Sequence, residues 1–324
     1  MVTVVRLEQH GSPNVMHIQE ADPVTPGAGE AWIEQTAIGV NYLDVMQRAG
    51  AANLPLPSGL GLEGAGRVTA IGEGVSHIQV GDRVAYATGP LGAYASGRCY
   101  PAERLVKLPD DLSCDDAAAT LFKGITAQYL LKSTYPVGPG ATILLYGVAG
   151  GVGAIMAQWA KRLGAFVIGV VSKAASVQKA ESLGCDAVLV FNPTTLASEV
   201  GHITHGRMVD VVYDPIGRIS FEASLDSLGP RGLMVSFGAS SGVPAAVELA
   251  TLNAKGSLFL TRPSLAAHTA NVAEYQQRAQ DVLNAVSSGV ITPHIWGHYA
   301  LSDVATAHAD LETGRASGSI ILQP

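Results

Sequence analysis

The chain has 324 residues, enough for two domains with separate cores, and its 48% apolar content describes a packed globular protein, not a disordered one. The net charge is −7 with Lys and Arg scattered, so there is no pull toward phosphate backbones and nucleic acid is not an expected partner. Three isolated cysteines, Cys99, Cys114 and Cys185, form neither a CxxC pair nor a Cys/His cluster, which excludes a disulfide framework and points to a reducing compartment.

The first residues, 1–7, alternate like a strand and lack the basic-then-apolar pattern of a secretory signal. The longest apolar runs, such as residues 165–171, are too short to cross a bilayer. A cytoplasmic protein without a membrane partner is expected. Short alternating runs follow at 31–38, 66–71 and 83–87, with turns at Pro26-Gly27, Gly72-Glu73-Gly74 and Gly81-Asp82. This predicts a β-rich domain.

Near residue 115 the rhythm changes. Residues 115–131 read as a helix with Asp115 and Asp116 at its positive end. Strands are then expected at 142–146, 166–171, 187–191, 209–213, 233–237 and 257–261, with helices at 153–163, 174–183 and 219–228. Nearly continuous apolar strands separated by helices predict a parallel sheet covered on both faces. A long helix over 272–288 and a last strand at 319–322 show no further βα unit, so this tail is expected to return to the first domain.

The run Thr142-Ile-Leu-Leu-Tyr146 leads directly into Gly147-Val-Ala-Gly150-Gly151-Val-Gly153 and a helix. Such glycines allow a tight turn and close backbone approach to a pyrophosphate, which the helix amides and dipole then hold. A strict GxGxxG aligned on Gly151 would place its third glycine at Met156. At the end of the next strand, Ser172-Lys173 stands where an NAD enzyme carries an acid for the ribose hydroxyl. A hydroxyl and a cation there favour the 2′-phosphate of NADPH. Gly238-Ala-Ser240-Ser-Gly242 matches the spacing of a hydrolase nucleophile elbow, but no helix pattern follows it, so a hydrolase is not expected.

Several spaced motifs carry a resemblance. They are Gly39-Val-Asn41-Tyr-Leu-Asp44, Gly61-Leu-Glu63-Gly-Ala-Gly66-Arg-Val68, Val80-Gly-Asp82, Leu91-Gly-Ala-Tyr94, Lys123-Gly-Ile-Thr126-Ala-Gln-Tyr129, Ala149-Gly-Gly-Val-Gly153, Val212-Tyr-Asp214 and Gly232-Leu-Met-Val-Ser-Phe-Gly238. Over its whole length the chain resembles the zinc-free, zeta-crystallin-like quinone oxidoreductases of the medium-chain dehydrogenase/reductase superfamily. The resemblance implies an α/β protein: a GroES-like domain, residues 1–121 with 263–324, and a Rossmann domain, 122–262. It implies NADPH in a cleft between two lobes, a quinone substrate and a homodimer.

By the same resemblance Asn41 and Asp44 would line the nicotinamide end, with Lys123, Thr126 and Tyr129 in the cleft wall. Ala149, Gly150, Gly151, Val152 and Gly153 would cradle the pyrophosphate, with Ser172 and Lys173 near the 2′-phosphate and Phe191 near the adenine ribose. Phe237, Gly238 and Ser240 would run past the nicotinamide. Asn41, Tyr42, Asp44 and Tyr129 are the expected substrate-positioning residues, with no obligatory acid or base. Met46, Ser176 and Val148 depart from the family pattern. Zinc needs three fixed N or S donors; the corresponding positions hold Asn41, Leu62 and Lys123, so no metal is expected. The alternatives are a zinc-free reductase of enone or alkenal double bonds, and a non-catalytic NADPH-binding structural or RNA-associated protein.

Overall fold

The computed structural model describes residues 1–324, which divide into two compact units: Met1–Ile125 with Thr269–Pro324, and Thr126–His268. The first break falls within a continuous helix, so neither a loop nor a change in composition marks it. In chain order come β1 (Val2–Leu7), β2 (Met16–Ala21), β3 (Glu30–Val40), α1 (Tyr42–Ala49), β4 (Ser58–Gly59) and β5 (Glu63–Ile71). Then follow β6 (Arg83–Ala87), β7 (Gly97–Pro101), β8 (Val106–Lys107) and α2 (Cys114–Tyr129). The second unit runs β9 (Thr142–Tyr146), α3 (Gly151–Arg162), β10 (Phe166–Val171), α4 (Val177–Ser182), β11 (Ala187–Val190) and α5 (Leu196–Ile203). It continues with β12 (Val209–Asp214), α6 (Phe221–Asp226), β13 (Leu228–Ser236), α7 (Leu249–Ala254), β14 (Phe259–Thr261) and α8 (Leu265–His268). The tail holds α9 (Val272–Ser287), β15 (Ile295–Ala300), α10 (Val304–Glu312) and β16 (Ser319–Gln323).

The first unit is built on a seven-stranded sheet, β15-β16-β3-β5-β6-β8 with β7 also on β3, and a three-stranded sheet, β2-β1-β4. Along β3 the side chains alternate: Ala31, Ile33, Gln35 and Ala37 point inward, while Glu34 and Thr36 face water. The strand then runs on through Ile38–Val40, fully buried, because β16 pairs there in antiparallel register. Ile33, Ile38, Val68, Val84, Leu301 and Ile320 are among the side chains of one core shared by both chain segments.

The tail does contain a βα unit, contrary to expectation. β15 and β16 are parallel strands joined through α10, and they extend the first unit's sheet. The pattern is hard to read in sequence because β15 is an edge strand whose residues are all half-buried or exposed, so it shows no apolar run.

In the second unit every strand pair is parallel and the order is β11-β10-β9-β12-β13-β14. Thr142, Ile143, Leu144, Leu145 and Tyr146 are all buried, as a central strand covered on both faces requires. The order reverses between β9 and β12. The carboxyl ends of these two strands therefore form the topological switch point at which open α/β sheets bind ligands. No helix of the chain is long and apolar enough to cross a membrane.

Candidate active site

At the end of β9 the backbone turns on Gly147 with φ +64°, and Gly150 N–H donates back to Gly147 O at 2.8 Å. Gly150 then caps α3, leaving the first-turn amides of Gly151, Val152 and Gly153 without intrahelical acceptors. A Cβ on Gly153 would lie 2.2 Å from Gly147 O, so only glycine allows the helix to start this close to the turn. The three working glycines are thus 147, 150 and 153. Met156 is not a fingerprint position but a fully buried core residue of α3. Val148 is also a packing residue: it is fully buried beside Gly169 of β10, where a Cβ would stand 3.0 Å from Val148 Cγ1.

Ser172 and Lys173 are exposed immediately after β10, and Lys173 caps the 3-10 turn Ala174–Ser176. Ser176 closes that turn, its N–H donating to Lys173 O at 3.0 Å. Phe191, half-buried after β11, packs edge-on against Tyr146 of β9 with ring centroids 5.8 Å apart. Asp214, fully buried at the end of β12, accepts from the N–H groups of Ile216 and Gly217 and from the hydroxyls of Ser220 and Ser224. The loop after β13 lies on this one: Phe237 N–H donates to Asp214 O and Ser240 N–H to Pro215 O, while a Cβ on Gly238 would meet Pro215 O at 2.5 Å. Ser240 is exposed and the chain continues without a helix until Leu249, so it is no nucleophile elbow. Thr126 and Tyr129 are buried on α2, and the Tyr129 ring stacks on His268 at 4.2 Å, a partner the motif pattern did not indicate.

In the first unit Asn41 caps α1 in a capping box with Asp44, whose Oδ2 accepts Asn41 N–H at 2.8 Å. Asn41 is buried, and its Nδ2 donates to Glu63 Oε2 at 2.9 Å. Glu63 Oε1 accepts Phe122 N–H at 2.6 Å, and Lys123 Nζ lies 3.8 Å from Glu63 Oε2 and 3.5 Å from Val40 O. Tyr94 OH sits 2.9 Å from both Asp44 Oδ2 and His308 Nε2. Asn41, Asp44 and Lys123 are thus brought into one buried network. Tyr42 is 50% exposed on the outer side of α1, outside that network, and Met46 is half-buried on the same helix. Glu63, Tyr94 and His308 are the members that motif reasoning did not assign. The available signal for Glu63 was a carboxylate in a run of small residues, Gly64-Ala-Gly66, that are all buried.

Burial controls the charges. Asp44 has no exposure, and desolvation pushes its carboxyl up to about 7 despite the opposing bonds from Asn41 N–H and Tyr94. Glu63 is likewise raised by burial, with Lys123 the foremost group pulling it back. His308 is pushed down to about 3 by burial and by the charge of Arg48. At the positions where zinc would need N or S donors, the chain offers an amide nitrogen already donating, a hydrocarbon and an ammonium group. This set does not fit a metal ion. The glycine turn with its free helix amides does fit a pyrophosphate.

Two family models match: "Alcohol dehydrogenase GroES-like domain" over residues 27–110 and "Zinc-binding dehydrogenase" over 151–284. The fold and site are those of a medium-chain dehydrogenase/reductase lacking the metal donors. The chain is 41% identical to a quinone oxidoreductase of Pseudomonas aeruginosa and 42% identical to quinone oxidoreductase 1 of Escherichia coli, over all of both proteins in each case. It is 40% identical to a 2-haloacrylate reductase of a Burkholderia species, over all of this chain and 99% of that one. The solved structure of Escherichia coli quinone oxidoreductase complexed with NADPH superposes with a TM-score of 0.94, covering 99% of this chain and 100% of that one at 42% identity. The chain belongs to the quinone oxidoreductase family.

The raised Asp44 carboxyl sets a pH dependence. A carboxyl raised in the folded state contributes stability below its unfolded value near 3.8, and that contribution is lost as pH rises through about 7. Asp44→Asn removes this loss. Denaturant unfolding across pH 4 to 7.5 should show the variant gaining on the unmodified protein as pH rises, by on the order of a few kcal/mol. A pH-independent difference would contradict the assignment.

Proposed function

We propose that this protein transfers hydride from NADPH to a quinone without a metal. The observation that carries the reading is the Asn41–Glu63–Lys123 cluster, with Asn41, Leu62 and Lys123 standing at the positions where a zinc dehydrogenase needs donors. Ala149, Gly150, Gly151, Val152 and Gly153 would hold the pyrophosphate, and Ser172 and Lys173 the 2′-phosphate. NADPH supplies the hydride when bound. A quinone needs no hydroxyl proton removed before it accepts hydride, and its product oxygen can take a proton from water. The chain's task is then to hold the acceptor and present N–H donors to its oxygen. Asn41 and Lys123 supply such donors, Asp44 holds Asn41, and Tyr42 and Tyr129 contribute to orientation. Alcohol oxidation, by contrast, calls for a base or Lewis acid at the hydroxyl.

A second reading, reduction of an activated carbon–carbon double bond, is favoured by the 40% identity to a 2-haloacrylate reductase. It uses the same donors, since charge again develops on an oxygen conjugated to the reacting carbon. NADPH-oxidation kinetics against quinones, enones and 2-haloacrylate in parallel decide between them. Turnover of quinones is expected, and Asn41→Ala should reduce it by about tenfold to a hundredfold without abolishing it. Complete loss in this variant with fold and NADPH binding intact would reveal an obligatory acid or base.

NADPH is expected to be preferred over NADH, because Ser172-Lys173 replaces the usual acid. Ser172→Asp should weaken NADPH by repelling the 2′-phosphate; equal kcat/KM for both cofactors in the unmodified protein would refute the assignment.

We further infer a homodimer joined through β14, which is the edge strand of its sheet with Phe259 60% and Leu260 37% exposed. Light scattering at micromolar concentration should give twice the chain mass, and a monomer would count against it. Three free cysteines support a cytoplasmic location.

A further inference from the structure

Glu63 is fully buried at the start of β5, yet it is neither part of the glycine cradle nor a packing residue. Both of its oxygens are engaged. Oε1 accepts the Phe122 N–H, and Oε2 faces Asn41 Nδ2 at 2.9 Å and Lys123 Nζ at 3.8 Å. These partners come from two places in the fold, the β3–α1 junction and α2. Space is reserved for the carboxylate: a Cβ on Gly39 of β3 would lie 2.4 Å from Glu63 Oε2. Burying a charge is costly unless it is paired and hydrogen-bonded, so the arrangement holds only while all three partners stay in place.

The chemistry of the bonds then fixes directions. A carboxylate only accepts, so Asn41 must present its NH2 group to Glu63. Asp44 holds the backbone N–H of the same residue. Asn41 is thereby gripped by two carboxylates, and one amide hydrogen remains for another acceptor. Lys123 has three donors, and its contacts at 3.5 and 3.8 Å are longer than the roughly 2.7–2.9 Å of a strong charge-assisted bond. Its charge is anchored by Glu63 while its N–H groups keep capacity for an oxygen that gains charge.

We propose that Glu63 is a positioning residue for reduction of the acceptor: it aims the carboxamide of Asn41 and the ammonium of Lys123 at the acceptor oxygen, in the place a metal would otherwise take. The inference rests on the hydride-transfer reading above and names what organises its donors. Glu63 itself neither touches the acceptor nor exchanges a proton with it.

The test uses Glu63→Gln, which keeps the shape and removes the charge, with Glu63→Asp as the charge-retaining variant. In Glu63→Gln, kcat should fall about tenfold to a hundredfold while KM for NADPH changes less than about twofold, as expected when only acceptor geometry loosens. Glu63→Asp should recover part of the loss. In the Asn41→Ala background Glu63→Gln should cost less than in the unmodified protein, because the part of the loss that runs through Asn41 is already taken and only the part through Lys123 remains. A second arm does not depend on turnover. In protein labelled with 15N at asparagine, an Asn41 side-chain amide proton should exchange slowly with solvent, and in Glu63→Gln it should exchange faster and change its chemical shift at unchanged Tm. A kcat within about twofold of the unmodified protein, losses that multiply in the double variant, or Asn41 resonances that do not respond would each overturn the proposal. If the unmodified protein reduced neither quinones nor activated alkenes, the functional reading would fail, and the amide resonances would still decide the positioning role.

Discussion

The first unit's chemistry depends on keeping two carboxylates, Asp44 and Glu63, out of water on either side of one asparagine. The cation beside Glu63, Lys123, stands 3.8 Å away and is the foremost group holding its charge. Further compensation comes from N–H and O–H donors: the backbone of Asn41 and Phe122, the Asn41 amide and the Tyr94 hydroxyl. Each donor satisfies a charge and loses its own freedom in doing so. The cost of burial is thereby converted into rigidity at Asn41, one of the residues proposed to meet the acceptor. Tyr94 passes the arrangement on to His308, a residue of α10, so the C-terminal segment is tied to the same network.

The second unit works differently. Its cradle consists almost entirely of backbone, and its precision comes from the absence of side chains at 147, 150 and 153. Asp214 plays the part of a local organiser, folding the loop after β12 onto four donors; the loop after β13 then bonds to that one. The polar side chains of these loops hold main chain in place.

This contrast explains what could be read in the residues alone. The glycine turn was legible because strand, turn and helix are adjacent in sequence and each has its own pattern. Its register was not, since only the start of α3 at Gly151 shows that the third glycine is 153 and that Met156 is core. The place of Ser172 and Lys173 just past β10 was legible by its offset from that turn. Asn41 and Lys123 came through resemblance, but the residue joining them did not, because Glu63 meets Asn41 across 22 positions and its motif reads as strand. Tyr94 and His308 meet across 214 positions, a distance at which no local pattern carries information. The βα unit of the tail escaped notice for a related reason: a half-exposed edge strand has no apolar periodicity to show.

The position of β16 has a consequence for how the chain is made. Residues 320–322 pair with Ile38–Val40, the stretch of β3 that leads directly to Asn41, and β16 lies between β3 and β15 inside the sheet. During synthesis the strand leading to Asn41 therefore leaves the ribosome with an unfilled flank and keeps it until residues 320–322 have been made. The unit spanning 126–268 has no such debt, for all six of its strands lie within it, and it can close while translation continues. The nucleotide cradle is thus assembled first. The residues proposed to meet the acceptor are locked only once β16 has been made, so a product terminated before it would carry the glycine turn without them in place.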